Sequence, residues 1–491
     1  MSFERILVAN RGVIARRIVR TCREMGIPTL IAVPPGDPEN AWISGADYCV
    51  EIPDLPPLSG YLNGPALIAA AKKYQAAIHP GYGFLSERAD FRASCDTHGV
   101  PLIAPSRTVL ERSGDKAACQ AFLQPLGIPL IPHLNLTHLT GQALEKACRD
   151  FAQSNGENSN DPLLLKPARG GGGMGMYQVN GPEKLLSLVE QARHYAQSHY
   201  GDPALILEKY LPQARHIEVQ LLGDSHGHLV HLFERECSLQ RRRQKVVEEA
   251  PASFLSSAER ERVWDLALQV GRAIGLDQVG TVEFLWHSGQ FYFLEVNPRI
   301  QVEHAVTEEI TGEDLVAWQI RIARGESVAA LSQIQSLGCS IEARIYAENP
   351  SSGFPCSGEI AYLRGPDGAG LRVESGIQSG SLISPEYDPL LLKLISRGKS
   401  REVARLRLIQ ALKELQILGL EVNTPALIEV LNSPSFVSGS YHAESYGHCL
   451  KTQAAKPLPA FAEALNMTAN IRSPKSAQVS ENTYWRPAFI K

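Results

Sequence analysis

The chain has 491 residues, 44% hydrophobic content and a formal charge of −4, which is more than one ordinary domain and excludes a strongly basic nucleic-acid or anionic-membrane binder. No apolar run is long enough to span a bilayer, and the opening Met1-Ser-Phe-Glu-Arg5 lacks the apolar segment of a signal peptide. Nine cysteines, an odd number without CxxC spacing, predict reduced thiols, no zinc site and a cytoplasmic location.

In chain order, residues 4 to 105 alternate short apolar strands, Arg5-Ile-Leu-Val-Ala9 and Thr29-Leu-Ile-Ala-Val33, with helical stretches such as Gly12 to Met25. That alternation predicts an open parallel sheet with Asn10-Arg-Gly12 at a strand-to-helix turn. A mobile lid is expected from about residue 132 to 204, with the polar insert Asn155 to Asp161 on its surface. Inside it lies the buried-strand pattern Leu163-Leu-Leu-Lys166, followed by Pro167-Ala-Arg169 and the run Gly170-Gly-Gly-Gly-Met-Gly-Met176. Consecutive glycines let backbone N–H groups close on an anion, and Lys166 adds a point charge. The lysine precedes the glycines, so neither GxxxxGK[ST] nor GxGxxG applies.

Further on, Gly280-Thr-Val-Glu-Phe-Leu-Trp286 and Phe291-Tyr-Phe-Leu-Glu-Val-Asn-Pro-Arg-Ile-Gln-Val-Glu-His304 read as two strands joined by a short turn at Gly289. Glu295, Asn297, Arg299, Gln301 and Glu303 share one parity, an unusual polar load on a strand. If the loop is the three residues Ser288 to Gln290, pairing is symmetric about Gly289 and Glu283 lies directly opposite Glu295. Opposed carboxylates repel, and either protonation or a divalent cation relieves them. With the Asn297 oxygen they form the hard set that suits Mg²⁺, while two solvated acids on an edge strand remain the plain alternative. Residues 451 to 491 thin out in apolar content and are expected to be extended or disordered, with Tyr484, Trp485 and Phe489 able to dock.

Over roughly residues 3 to 450 the chain resembles the biotin carboxylases, the ATP-grasp component of biotin-dependent carboxylases. The motifs are Ala9-Asn-Arg-Gly12, His79-Pro-Gly-Tyr-Gly-Phe-Leu-Ser-Glu87, Gly114-Asp-Lys116, Lys166 with its glycine loop, Glu208-Lys-Tyr-Leu211 and Arg215-His-Ile-Glu-Val-Gln220. They continue with Gln240-Arg-Arg-Arg-Gln-Lys-Val-Val-Glu-Glu-Ala-Pro251, the Glu283 and Glu295 strands, Arg299-Ile-Gln-Val-Glu-His304 and Glu342-Ala-Arg344. The resemblance implies an α/β and α+β fold: an N-terminal open parallel-sheet domain over 1–115, an ATP-grasp region over 116–312, and a C-terminal sheet-containing domain over 313–450.

It also implies a reaction, in which bicarbonate attacks ATP to give carboxyphosphate and the carboxyl group passes to biotin on a carrier. Lys116, Lys166, Gly171, Gly172, Gly173, Glu208, Lys209, Leu211, His216 and Gln240 would bind ATP. Glu283, Glu295 and Asn297 would hold Mg²⁺, with Mn²⁺ as an alternative. Lys245, Arg299, Gln301 and Val302 would hold bicarbonate, with Glu303 as its base in an enclosed position that raises its pKa. Tyr82 and Arg344 would meet biotin, the arginine on the ureido oxygen. No Ala-Met-Lys-Met-type attachment segment occurs, so a separate biotin carboxyl carrier and a carboxyltransferase are implied, with a homodimer as the expected assembly and no nucleic-acid or membrane partner.

Departures from the family pattern are Met174 in the glycine loop, Arg243 in place of a histidine, Val13 in place of a glutamate and Trp42 in place of a histidine in what reads as a surface segment. Arg169 before four glycines resembles the acyl-CoA carboxylase α-subunits, including methylcrotonyl-CoA carboxylase. Cys237 reads as packing. Two other readings stay open: another ATP-grasp carboxylate ligase, and a non-catalytic ATP-binding or assembly subunit.

Overall fold

The computed structural model describes residues 3–37, 42–54, 60–155, 162–168, 175–179, 182–350 and 352–451. Arg169, Gly171, Gly172, Gly173, Met174, most of the 155–161 insert and the tail from 452 lie outside the described residues.

The N-terminal unit is a parallel sheet in the order Tyr48–Glu51, Thr29–Val33, Arg5–Val8 and Ala76–His79. Arg5–Val8, Thr29–Val33 and Ala76–His79 are short apolar runs buried almost throughout, as a parallel sheet covered by helices requires, while the edge strand Tyr48–Glu51 buries only Val50. The helix Gly12–Glu24 buries Val13, Ile14, Ile18, Val19 and Cys22. Its first turn meets Gly376 of the C-terminal unit so closely that a Cβ there would lie 2.8 Å from the Gly12 carbonyl carbon and the Val13 nitrogen. Glycine at 376 is what lets the two backbones touch. Trp42 is 1% exposed and joins the core of this unit, which corrects the surface placement expected for it: the indole packs inward where a polar side chain would not.

The segment expected to be a lid carries a four-stranded sheet in the order His133–Asn135, Leu205–Lys209, Leu163–Pro167 and Tyr177–Val179, all pairs antiparallel. Leu144, Cys148, Leu163, Leu165, Leu185, Val189, Leu205 and Leu207 give it a core of its own.

One eight-stranded sheet dominates the rest, ordered Gln290–Asn297, Val279–His287, Arg215–Gly223, Leu229–Arg241, Gln244–Ala250, Cys339–Tyr346, Leu390–Gly398 and Leu371–Ser375. It runs without a break from the strands before residue 250 into those after residue 339 through the antiparallel pairing of Gln244–Ala250 with Cys339–Tyr346. The helix Ser257–Ile274 backs it, started by a capping box between Ser256 and Glu259 and stopped by left-handed Gly275. Val263, Leu266, Ala267 and Val270 of that helix pack on Val219, Val282, Phe284 and Phe293. Val219, Val282 and Phe284 face this helix, so by alternation their strand neighbours Glu218 and Glu283 face away from it.

Candidate active site on the large sheet

Glu283 and Glu295 are direct cross-strand partners, but the loop that joins their strands is not the three-residue one that the sequence suggested. His287 pairs with Gln290, leaving a two-residue turn in which Ser288 and Gly289 have φ of 49° and 79°, the double left-handed form that suits a tight hairpin. That even turn alone would put the two acids out of phase. A bulge between Glu283 and Phe284 adds one residue to the opposite strand, so Phe284 faces Phe293 while Glu283 faces Glu295. The opposition stands, through the bulge rather than the turn.

The two acids are not left to repel. Glu283 accepts from Asn297 at 2.8 Å, Gln301 at 2.7 Å and Lys245 at 2.9 Å, and His216 Nε2 lies 2.9 Å from its other oxygen. Glu295 pairs with Lys116 at 2.5 Å and accepts from Asn297 at 3.3 Å. Protein donors thus supply the neutralising charge that a cation would bring. Asn297 turns its NH₂ toward the acids and its oxygen toward Arg299, 3.1 Å away, so an amide oxygen ligand requires the carboxamide to rotate. His216, Glu218 and Glu283 also bring ligand atoms within 4.8 Å of one another. Oxygen donors in this number fit a hard divalent ion.

Beside this pair lies the densest charge cluster. The Lys245 ammonium donates to Glu218 at 2.6 Å and to Glu303 at 2.7 Å as well as to Glu283. Arg344 reaches Glu303 at 2.9 Å and Glu248 at 2.5 Å. Arg299 is held by Glu87 at 2.7 Å. Glu303 is 2% exposed, which meets the enclosure expected of it, yet its pKa moves opposite to the expectation. Burial raises it, but Lys245, Arg344 and Arg235 together outweigh burial and hold the carboxyl well below the usual range. Enclosure among cations stabilises the anion, where enclosure among apolar groups would not.

Arg344 lies at the far side of the cluster, next to Tyr346. The Tyr82 phenol is pushed up by burial and by Asp388, against the opposing pull of Arg344, so Tyr82 and Arg344 share one environment. The Val302 carbonyl accepts from buried Lys393. In the lid, Lys166 pairs with Glu208 at 2.5 Å, and the Lys209 N–H donates to the Pro132 carbonyl at 2.9 Å. Leu211 packs with Ile131 and Ala214 where the lid joins the large sheet. His216 faces the acids, with Gln240 3.1 Å from its Nδ1. Cys237 is fully buried and its thiol pKa is pushed well up by burial and by Glu218, in keeping with packing.

Sequence reasoning gave no role to Arg235, Glu218 or Lys393. The signal was available: Glu234-Arg-Glu236 is a charged run in the middle of a buried strand, the same anomaly that drew attention to Glu295.

Profiles of known families match three consecutive stretches: the biotin carboxylase N-terminal domain over residues 2–110, the ATP-binding domain of the carbamoyl-phosphate synthase L chain over 115–331, and the biotin carboxylase C-terminal domain over 342–445. The chain is 42% identical over 440 residues to the biotin carboxylase of Halalkalibacterium halodurans, covering 89% of this chain and 96% of that one. It is 41% identical over 475 residues to the mitochondrial methylcrotonoyl-CoA carboxylase subunit alpha of Oryza sativa, covering 95% of this chain but only 63% of the rice protein. The biotin carboxylase domain dimer of the Hydrogenobacter thermophilus 2-oxoglutarate carboxylase, solved with MgADP, ADP and bicarbonate, superposes with a TM-score of 0.86 at 39% identity, covering 93% of this chain and all of that one.

Proposed function

We propose, because this chain belongs to the biotin carboxylase family, that it uses ATP and bicarbonate to carboxylate biotin on a carrier, the first half-reaction of a biotin-dependent carboxylase of acyl-CoA type. The observation that carries the reading is the meeting of Lys245, Glu303 and Arg344 within 2.9 Å contacts beside the opposed acids Glu283 and Glu295. Phosphoryl transfer needs anion neutralisation and in-line placement more than covalent help. Lys116 and Lys166 would supply cations to the phosphates, and Glu283 and Glu295, with Asn297 after rotation, would hold Mg²⁺, which would supply further positive charge for the phosphates. Leu211 and the Glu208–Lys209 backbone lie where the lid meets the sheet, suited to an adenine edge, while His216 and Gln240 border the acids.

Lys245, Arg299 and Gln301, with the Val302 backbone, would hold bicarbonate. Glu303 is held as the anion by its cations, so it can accept a proton, but the same cations make it a weak base until one of them is drawn off. An anion that draws Lys245 away weakens the field that depresses the Glu303 pKa, so the base strengthens when its substrate is seated. Arg344, permanently charged, would then face the ureido oxygen of biotin with Tyr82 nearby. A biotin carrier, a carboxyltransferase and a homodimeric assembly complete the proposal. Nine cysteines without a disulfide are in keeping with a reducing compartment, and the cytoplasm is the location proposed.

The test is ADP release with and without bicarbonate, and with and without free biotin. Stimulation by both is expected. ATP cleavage indifferent to biotin but stimulated by an amine identifies another ATP-grasp ligase, and binding without turnover identifies an assembly subunit.

A further inference from the structure

Arg235 has no exposed surface and sits in the middle of the large sheet. Its Nε–H donates to Glu218 at 2.5 Å. One terminal nitrogen donates to Gln220 at 2.7 Å and to Thr307 at 2.9 Å. The other donates to Gln301 at 2.9 Å and to Thr281 at 3.3 Å. A guanidinium has five N–H bonds, and all five are used, so none is left for a substrate.

The strand is bent to bring this side chain there. Leu229, Val230 and His231 pair regularly with Gly223, Leu222 and Leu221, but a register shift follows, and beyond it Glu234 meets Val219 and Arg235 meets Glu218. Phe233, inside the shift, has φ of 66°, a conformation that a bulky side chain adopts only under compulsion. Without the extra residue, the side chains beyond it would change face.

Its acceptors lead to the proposed bicarbonate site. The second oxygen of Glu218 holds Lys245. The oxygen of Gln301 is turned to Arg235, which leaves its NH₂ for Glu283; the opposite amide orientation would set donor against donor. We propose that Arg235 is a positioning residue that fixes the orientation of Gln301 and, through Glu218, the location of Lys245, so that both meet bicarbonate in register with the metal-facing acids. This proposal rests on the reading of the site as a biotin carboxylase site.

Charge alone does not account for the arrangement, since four of the five acceptors of Arg235, on Gln220, Thr307, Gln301 and Thr281, are uncharged side chains. A lysine at 235 keeps the charge but replaces a planar five-donor fork with one compact three-donor group. Steady-state kinetics on the full chain decide the matter, with Arg235→Lys and Thr307→Val as variants. Arg235→Lys is expected to raise KM for bicarbonate about tenfold or more while KM for ATP stays within about threefold, and Thr307→Val to move bicarbonate KM the same way by less. A merely structural arginine lowers the melting temperature and the apparent kcat while leaving both KM values unchanged, and that result, or an equal rise in both, overturns the proposal. If Arg235→Lys does not fold, Thr307→Val carries the decision by the same criterion. Wild-type protein without bicarbonate-dependent ATP cleavage overturns the functional reading and this proposal with it, whereas active wild type with unmoved bicarbonate KM in the variants overturns this proposal alone.

Discussion

Glu303 and Glu295 are both acids of one cluster, but they answer to different cations, and substitution should separate them. Glu303 lies between Lys245 and Arg344, whereas Glu295 is joined to Lys116 and Asn297. Glu303→Gln is expected to lower bicarbonate-dependent ATP cleavage by about 10²-fold or more, the range of a lost acid–base group, with nucleotide affinity close to wild type by titration calorimetry. Glu295→Gln should weaken Mg²⁺-dependent nucleotide binding instead. Equal nucleotide affinities in the two variants would defeat the division. For Arg344→Ala the expected loss is in carboxyl transfer to biotin, on the order of 3 kcal/mol or roughly a hundredfold, while biotin-independent ATP cleavage survives. Equal loss of both activities would make the arginine structural or phosphate-binding.

At the scale of strands, Glu248 and Glu342 oppose each other across the Gln244–Ala250 and Cys339–Tyr346 pairing, with neither exposed. Burial first, then Glu342 and Glu303, raise the Glu248 pKa to about 8 against the pull of Arg344 and Lys245. Burial likewise raises Glu342 to about 7, against Lys393 and Arg344. A carboxyl whose folded pKa exceeds its unfolded value holds more protons in the folded state between the ordinary 4.5 and the raised value. Its contribution to stability is therefore full below that window and fades as pH rises through it. Glu248→Gln should flatten the fall in melting temperature between the ordinary 4.5 and about 8, as followed by calorimetry; an unchanged slope means that the proton resides elsewhere.

Such strands also show what a sequence can carry. The anomaly of Glu283, Glu295 and Glu303 was legible because acids on apolar strands stand out locally, and the parallel N-terminal sheet was legible from its alternation of strands and helices. The bulge at Glu283 was not, because the number of residues between paired positions is set by how Phe284 and Phe293 fill the core. Nor was the direction of the Glu303 shift, since burial follows from one segment while the opposing charges arrive from Lys245, Arg235 and Arg344 on three other strand positions far away in the chain. Trp42 was misread for a similar reason: its burial depends on packing with residues remote in sequence.

Across the whole molecule, the segment expected to be a lid has its own core; the chain enters it past Leu130, which bridges to Phe293 of the large sheet, and returns from it through Lys209 and Tyr210. At that return the Tyr210 hydroxyl donates to Glu444 of the C-terminal segment, and Arg243 adds a positive charge near the phenol, which burial nevertheless pushes up to about 12. A neutral phenol donating to a carboxylate ties the end of the lid to a part of the fold that does not belong to it. Tyr210→Phe removes the donor and keeps the ring, so local opening of the lid should become easier while the rest of the sheet keeps its stability. Hydrogen exchange should accordingly quicken in Leu163–Pro167 and Leu205–Lys209 and stay as in wild type in Val279–His287 and Gln290–Asn297. A non-hydrolysable MgATP analogue, which would hold the lid against the sheet, should erase the difference between variant and wild type. Faster exchange in both sheets alike would mean that the contact stabilises the protein globally, and no change in either would mean that the lid moves without regard to Glu444.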